Sequence, residues 1–408
     1  MSEKNSKILV GLDVGTSKTC AVIGEMTEEG LDIIGMGSAV SKGIQKGAVT
    51  NIESAAQSIQ DALEDVEVAI NQEVTSVIMS ISGTHIKGLN SNGVAAVKSP
   101  EVSDDDVARV LDSANAVAIP PDRQFLHVLA QEYILDGQQG IPDPRGMTGV
   151  RLEAKVHIVT CAVNSAQNLV KAVNKNEVAV SDIVLAPLAA SEAVLTQDDR
   201  EMGCVLVDIG AGTTDIAVWH KGVLVYTAVL DIAGNHITSD IAQGLQTNLQ
   251  VAEKLKITSG CAMRDAVGAD EAIQIPAVDG RDVRKFPRSV LADIIEPRLE
   301  EIFDLVNQKI VESGYRDSIP AGLVLTGGTA LMSALPELCE KTFGLPVKRG
   351  LPRNIGGNID QVTHPKFATA VGLLFHAINP PDIKSYGSPE AKQNGLIGKI
   401  INWFKQIV

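Results

Sequence analysis

Two stretches of this 408-residue chain carry the same arrangement of an aspartate, glycines and hydroxyl side chains at the end of an apolar run. The first is Gly11-Leu12-Asp13-Val14-Gly15-Thr16-Ser17-Lys18, and the second is Asp208-Ile209-Gly210-Ala211-Gly212-Thr213-Thr214-Asp215. Glycines let backbone N–H groups approach an anion closely, and Thr16, Ser17, Lys18, Thr213 and Thr214 add side-chain donors. Either stretch alone also fits an ordinary tight hairpin. Together they suit a polyphosphate gripped from two sides, with Asp13 and Asp208 each able to hold Mg²⁺ through its bound waters. A third stretch, Leu325-Thr326-Gly327-Gly328-Thr329-Ala330, places bare backbone at a strand end, where an adenine or ribose can lie.

Each loop needs a strand before it and a strand after it. Ile8 to Leu12 and Thr19 to Gly24 read as one hairpin, Cys204 to Val207 and Asp215 to Trp219 as another. At a constant offset of 195 residues, Asp13, Val14 and Gly15 fall on Asp208, Ile209 and Gly210, and Ala21 and Val22 on Ile216 and Ala217. One unit is therefore used twice. Between the copies the spacing predicts an amphipathic helix from Ile52 to Ile70, a strand from Ser76 to Ser82 and a helix near Gln167 to Asn176.

From about Gly83 to Ala162 this rhythm breaks, with turn-type residues at Asn90-Ser91-Asn92-Gly93 and from Asp136 to Gly149 on either side of one helix. The segment reads as an inserted subdomain. Ser103 and Asp106 form a capping box, so the run Asp104-Asp105-Asp106 is a helix start rather than a metal site. After the second copy, Gly234 to Ile310 is rich in helix, followed by helices Met332 to Thr342 and Phe367 to Ile378. Pro380-Pro381 ends the last of these, and Asp382 to Asn394 has the composition of a linker.

Composition sets the class. Hydrophobic residues make up 45% of the chain and aromatics only 3%, so the cores are built from Val, Ile, Leu and Ala, as in helix-covered parallel sheets. A length of 408 residues exceeds what one core usually supports. The net charge of -15 works against nucleic-acid binding. Cys20, Cys161, Cys204, Cys261 and Cys339 are odd in number and lack CxxC spacing, which predicts reduced core thiols in a cytoplasmic protein. The first residues do not read as a secretory signal, and no apolar run has the length of a spanning helix.

The final stretch, Gly395 to Val408, is different. On a helical projection Leu396, Ile397, Ile400, Ile401, Trp403, Phe404, Ile407 and Val408 share one face, opposite Lys399, Asn402, Lys405 and Gln406. A helix docked on the protein's own core also fits this pattern. The preceding linker, the basic polar face on an acidic protein and the adjacent Trp and Phe favour a helix lying on a membrane surface, bound weakly as a single copy and more tightly through many.

The two loops, the connecting Ala186-Pro187-Leu188-Ala189-Ala190-Ser191, the Gly327-Gly328 turn and Ala368-Thr369-Ala370-Val371-Gly372 resemble the five signatures of the actin, chaperone and sugar-kinase ATPases. Within that superfamily the chain resembles the FtsA family of bacterial actin homologues from residue 6 to 408, through Gly83-Thr84-His85, Ile141 to Met147 running into Arg151-Leu152-Glu153, Ala252 to Lys256, and the tail. The resemblance implies an α/β, duplicated actin-like fold of two lobes around a nucleotide cleft, with an inserted α+β subdomain and a C-terminal amphipathic helix. Subdomain 1A would comprise 1–82, 163–197 and 362–380, 1C 83–162, 2A 198–226 with 302–361, and 2B 227–301, followed by a linker at 381–394 and the helix at 395–408.

It also implies that ATP and Mg²⁺ are the cofactors, that Glu253 and Lys256 hold the ribose, and that Gly327 and Gly328 contact the nucleotide. From spacing alone, Glu253 and Lys256 equally fit an ion pair on a helix surface. The implied partners are further copies of the chain in a filament, membrane lipid, later division proteins at 1C, and the FtsZ tail at 2B, where Arg281, Arg284, Lys285 and Arg288 form a local basic cluster. The implied place is the cytoplasmic face of the inner membrane at the division site. Where hydrolysing relatives often carry an acidic residue before the connecting proline, this chain has Ala186, which predicts slow or absent ATPase activity. A small-molecule kinase or phosphatase of the same fold, or a related pilus-assembly scaffold, are the competing readings.

Overall fold

The apolar runs around Asp13 and Asp208 become the central strands of two sheets, because residues buried on both faces are what a helix-covered sheet requires. In this computed structural model, which describes residues 8–28, 30–276, 283–379 and 383–385, the first sheet has the order Ala179–Leu185, Ser76–Ile81, Ile8–Val14, Lys18–Met26, Leu31–Val40, Ile355–Gly357. The second runs Val347–Arg349, Leu323–Thr326, Cys204–Ile209, Thr214–His220, Val223–Leu230. In both, the strand carrying the aspartate pairs antiparallel with the next strand and parallel with a later one.

The duplication reaches single hydrogen bonds. Asp13 pairs with Cys20 and Asp208 with Asp215, the equivalent positions. The turn after Asp13 is closed by Gly15 N–H donating to the Lys18 carbonyl at 3.0 Å, and the turn after Asp208 by Gly210 N–H donating to the Thr213 carbonyl, also at 3.0 Å. Strands Cys204–Ile209 and Thr214–His220 extend further toward the turn than the sequence suggests, since Asp208 and Asp215 still pair across the ladder.

Each sheet has its own core. Helix Ile52–Ile70, capped by the Asn51 side chain accepting from Ser54 N–H at 2.9 Å, covers the first with Ala55, Ile59, Leu63 and Val66. Helix Arg288–Ser313 buries Leu299, Ile302, Phe303 and Val306 against the second. Helix Ala186–Val194 follows strand Ala179–Leu185 of the first sheet, and the chain is back in that sheet at Ile355–Gly357 before helix Ala368–Ile378. These two helices cross backbone to backbone, for a Cβ added at Gly372 would lie 1.7 Å from the Ala189 carbonyl oxygen.

The segment inserted after Gly83 forms an antiparallel sheet of strands Lys87–Ala96, Arg123–Leu135, Gln138–Ile141 and Arg151–Ala162, packed on helix Asp104–Ala114 over a separate core. The capping box is present: Asp106 N–H donates to Ser103 Oγ at 3.3 Å and Ser103 N–H to the Asp106 carboxylate at 2.9 Å. Asn90 to Gly93, which read as a turn, lie within strand Lys87–Ala96. Their polar groups serve contacts instead, with Asn90 Nδ2 donating to the Val225 carbonyl at 3.3 Å and Ser91 Oγ to the Ala114 carbonyl at 2.8 Å. The insert thereby packs on Val223–Leu230, the edge strand of the second sheet. A second difference concerns the expected linker, where Ile383–Ser385 pairs antiparallel with His127 to Leu129.

All five cysteines are free and buried. Among the described residues no helix is long and apolar enough to cross a membrane. The amphipathic segment, Gly395 to Val408, lies outside the described residues.

Candidate nucleotide site

The two loops face each other across one cleft of about 610 Å³, and the Gly327-Gly328 turn forms a third wall. Contact between the loops is close, since a Cβ on Gly212 would lie 2.5 Å from Thr16 Oγ1. Thr16 Oγ1 is fixed by accepting from Gly47 N–H at 3.1 Å. Gly327 has a φ of 86°, and a Cβ there would stand 2.3 Å from Asp208 Oδ1 and 2.5 Å from the Ile209 carbonyl oxygen. Only glycine fits such an approach at such an angle.

Three carboxylates converge on the cleft. Asp13 Oδ1 accepts from Ser80 Oγ at 2.7 Å, Asp215 accepts from Ser82 Oγ at 2.6 Å and Thr213 Oγ1 at 3.1 Å, and Asp208 Oδ2 accepts from Thr369 Oγ1 at 3.3 Å. Burial pushes Asp208 up to about 7, helped by the charges of Asp215 and Asp13. Burial likewise pushes Asp215 up to about 6. Lys18 Nζ is buried against the Phe367 ring, 4.6 Å from its centroid, with no hydrogen-bond partner among the described residues.

Concentrated negative charge, a cation without a partner and glycine-lined backbone together fit a metal-bound polyphosphate: phosphate oxygens would satisfy Lys18 and a divalent cation would offset the carboxylates. Among the described residues no group of three His, Cys, Asp or Glu is placed to ligate a metal directly.

Most of the residues singled out in the sequence line this cleft: Asp13, Gly15, Thr16, Ser17, Lys18, Asp208, Gly210, Gly212, Thr213, Asp215, Glu253, Lys256, Gly327 and Gly328. Thr214 does not. Its side chain is fully buried and its hydroxyl donates to the Ile232 carbonyl at 2.7 Å, because the strand alternation turns it into the second core. Glu253 and Lys256 are an ion pair at 2.6 Å, but one set into the cleft wall, with the lysine 9% exposed.

The basic cluster is dispersed. Arg288 belongs to the cleft wall, with Nε donating to the Ser259 carbonyl at 2.7 Å and Nη1 to Glu271 at 2.5 Å. Arg284 donates to the Leu245 and Gln246 carbonyls at 2.7 and 3.0 Å, Lys285 is exposed, and Arg281 lies outside the described residues. Ser80, Ser82, Thr369 and Lys366 also line the site, and sequence reasoning missed them as ligand-side groups. Ser80 and Ser82 lie two residues apart at the end of a strand parallel to the first loop's strand, which is the signal that was available.

Paired hairpin loops at equivalent ends of two like-ordered sheets, closing on one cleft, define the actin-like ATPase fold. Solved structures agree at the level of fold: the chain aligns with the PilM-PilN type IV pilus biogenesis complex at a TM-score of 0.67, 16% identity, 91% of this chain and 98% of that one. With MreB5 of Spiroplasma citri bound to ADP the TM-score is 0.56 at 13% identity, over 92% of this chain and 98% of the other.

The chain belongs to the FtsA family of cell division proteins. The family described as "Cell division protein FtsA" matches residues 205–372, and "SHS2 domain inserted in FTSA" matches 83–160. The cell division protein FtsA of Pseudomonas aeruginosa is 48% identical over 378 residues, covering 92% of this chain and 91% of that protein.

Proposed function

We propose that this protein binds Mg·ATP in the cleft, polymerises with it on the cytoplasmic face of the inner membrane, and tethers FtsZ filaments there. The carrying observation is the cleft itself, where Lys18 Nζ has no hydrogen-bond partner among the described residues and stands between two loops that present backbone donors and three carboxylates. Family membership supports the division role. Residues 227–301 take the FtsZ tail, the insert at 83–162 receives later division proteins, and the face of Leu396, Ile397, Ile400, Ile401, Trp403, Phe404, Ile407 and Val408 lies in the lipid interface.

A single amphipathic helix binds reversibly, so polymerisation is what makes attachment firm, by roughly 10² to 10⁴ through avidity. Sedimentation with vesicles containing anionic lipid tests this. The full chain with Mg·ATP is expected to pellet with the vesicles, and a chain ending at residue 394 to stay in solution. Equal pelleting of both forms would overturn the tether.

The cleft also bears on rate. Ala186 opens helix Ala186–Val194 on the cleft wall and offers no group to orient an attacking water. Phosphate release at saturating ATP is expected well below about 1 per second, the lower end for ordinary enzymes; turnover at or above that value would contradict a binding role for the site. The 48% identity to an FtsA weighs against the kinase or phosphatase reading and against a pilus scaffold.

A further inference from the structure

A second cavity, of about 350 Å³, borders the phosphate loops. Thr16 and Gly212 line both it and the nucleotide cleft, whereas Gly327 and Gly328 line only the cleft. The cavity therefore adjoins the end of the cleft suited to phosphate, away from the nucleoside wall. Lys46, Asn235 and His236 lie on its rim.

Lys46 reaches that rim from an unusual backbone. It and Gly47 form the turn of a hairpin between Ile44–Gln45 and Ala48–Val49, with φ of 47° and 74°. The first place in such a turn normally goes to asparagine, aspartate or glycine, which tolerate positive φ, and a lysine gains nothing from it locally. The turn is also held in place. Gly47 N–H donates to Thr16 Oγ1 at 3.1 Å, and a Cβ on Gly47 would stand 2.5 Å from the Ser82 carbonyl oxygen. From this fixed backbone the lysine side chain crosses to the other lobe. Its Nζ donates to Asp231 Oδ2 at 2.9 Å, just beyond strand Val223–Leu230. The two side chains are 52% and 60% exposed, and an ion pair so wet contributes little.

We propose that Lys46 is a sensor of the terminal phosphate: Asp231 holds it in reserve, and it transfers to the γ-phosphate of bound ATP but not to ADP, which ends short of it. This rests on the cleft binding ATP. A terminal phosphate between the loops carries more charge than one carboxylate and sits where less water competes, so the exchange is favourable. With ADP the pair with Asp231 re-forms. The state of the cleft then shows as the presence or loss of one contact between the lobes.

The test is the ratio of affinities for Mg·ATP and Mg·ADP, measured by calorimetry on the full chain in the wild type, Lys46→Met and Asp231→Asn. The wild type is expected to prefer ATP. Lys46→Met should shrink that preference by about tenfold through weaker ATP binding alone, the effect of one lost charge-assisted contact. Asp231→Asn should enlarge it by about threefold, since the lysine no longer leaves a partner. Both side chains are exposed, so neither change disturbs a core. An unchanged ratio in either variant overturns the proposal. So does a smaller ratio in Asp231→Asn, which would make the pair a clasp that helps closure. A wild type that binds both nucleotides equally overturns it while leaving the nucleotide reading intact, and one that binds neither overturns both.

Discussion

Replacing Lys18 with methionine is expected to weaken Mg·ATP binding by about 10- to 100-fold, with little change in the fold. Lys18 Nζ has no hydrogen-bond partner among the described residues, so its removal strands no acceptor there. Methionine keeps the apolar stem against the Phe367 ring. The ligand loses far more. Its phosphates would enter a cleft holding Asp13, Asp208 and Asp215 without the cation that faces them. A charge-assisted hydrogen bond contributes roughly 1.5–3 kcal/mol, and each 1.4 kcal/mol is about tenfold in affinity. Calorimetric titration at fixed ionic strength measures the change, with melting of the nucleotide-free protein as the check on folding. A loss below about fivefold would place the phosphates elsewhere.

Asp208→Asn should have the opposite effect on the empty protein. Burial first, then the charges of Asp215 and Asp13, push Asp208 up to about 7, so the fold favours its protonated form and opposes its charged one. That opposition is absent below the ordinary carboxylate range, grows as pH rises, and is complete above about 7. Asparagine never ionises, so the variant should be more stable than the wild type at pH 8 by roughly 2–4 kcal/mol, a gain that shrinks as pH falls through 7 toward 5. Burial also holds His127 down at about 3 and His157 at about 4, which destabilises both proteins alike in acid; comparing the two at each pH removes that background. The variant should also lose the stabilisation that Mg·ATP gives the wild type. Thermal melts at pH 5 and 8, with and without Mg·ATP, decide it: an Asn variant that is less stable at pH 8 would refute the unfavourable charge. A site that costs stability when empty is the usual trade between activity and stability.

Much of this was legible because it repeats. The offset between Asp13 and Asp208 predicted two like hairpins, and the structure returns the same turn-closing hydrogen bond in each. Gly327 was readable as bare backbone for an adenine or ribose; its φ of 86° instead serves an approach to Asp208 and Ile209 of the second loop, which the sequence did not signal. What misled was residue type read without its surroundings. Asn90 to Gly93 look like a turn, yet they sit in a strand because Asn90 and Ser91 are spent on contacts and Gly93 lets helix Asp104–Ala114 close in, a Cβ there meeting the Val110 oxygen at 2.1 Å. Thr214 shows the limit of a motif: one step along a strand exchanges cleft for core. The dispersal of Arg284 and Arg288 into backbone contacts depends on neighbours far away in sequence, such as Leu245 and Ser259, which local charge counting does not register.

The crossing of helices Ala186–Val194 and Ala368–Ile378 bears on how such a molecule moves. Where Gly372 meets the Ala189 carbonyl there is no side chain to shear past, and the first of these helices follows directly on strand Ala179–Leu185 of the first sheet. The pair acts as a rivet. Packing of this kind permits turning and resists sliding, so a closure of a few degrees at the phosphates would become a long sweep at the outermost tips, in the manner of shears gripping a small object close to the pin.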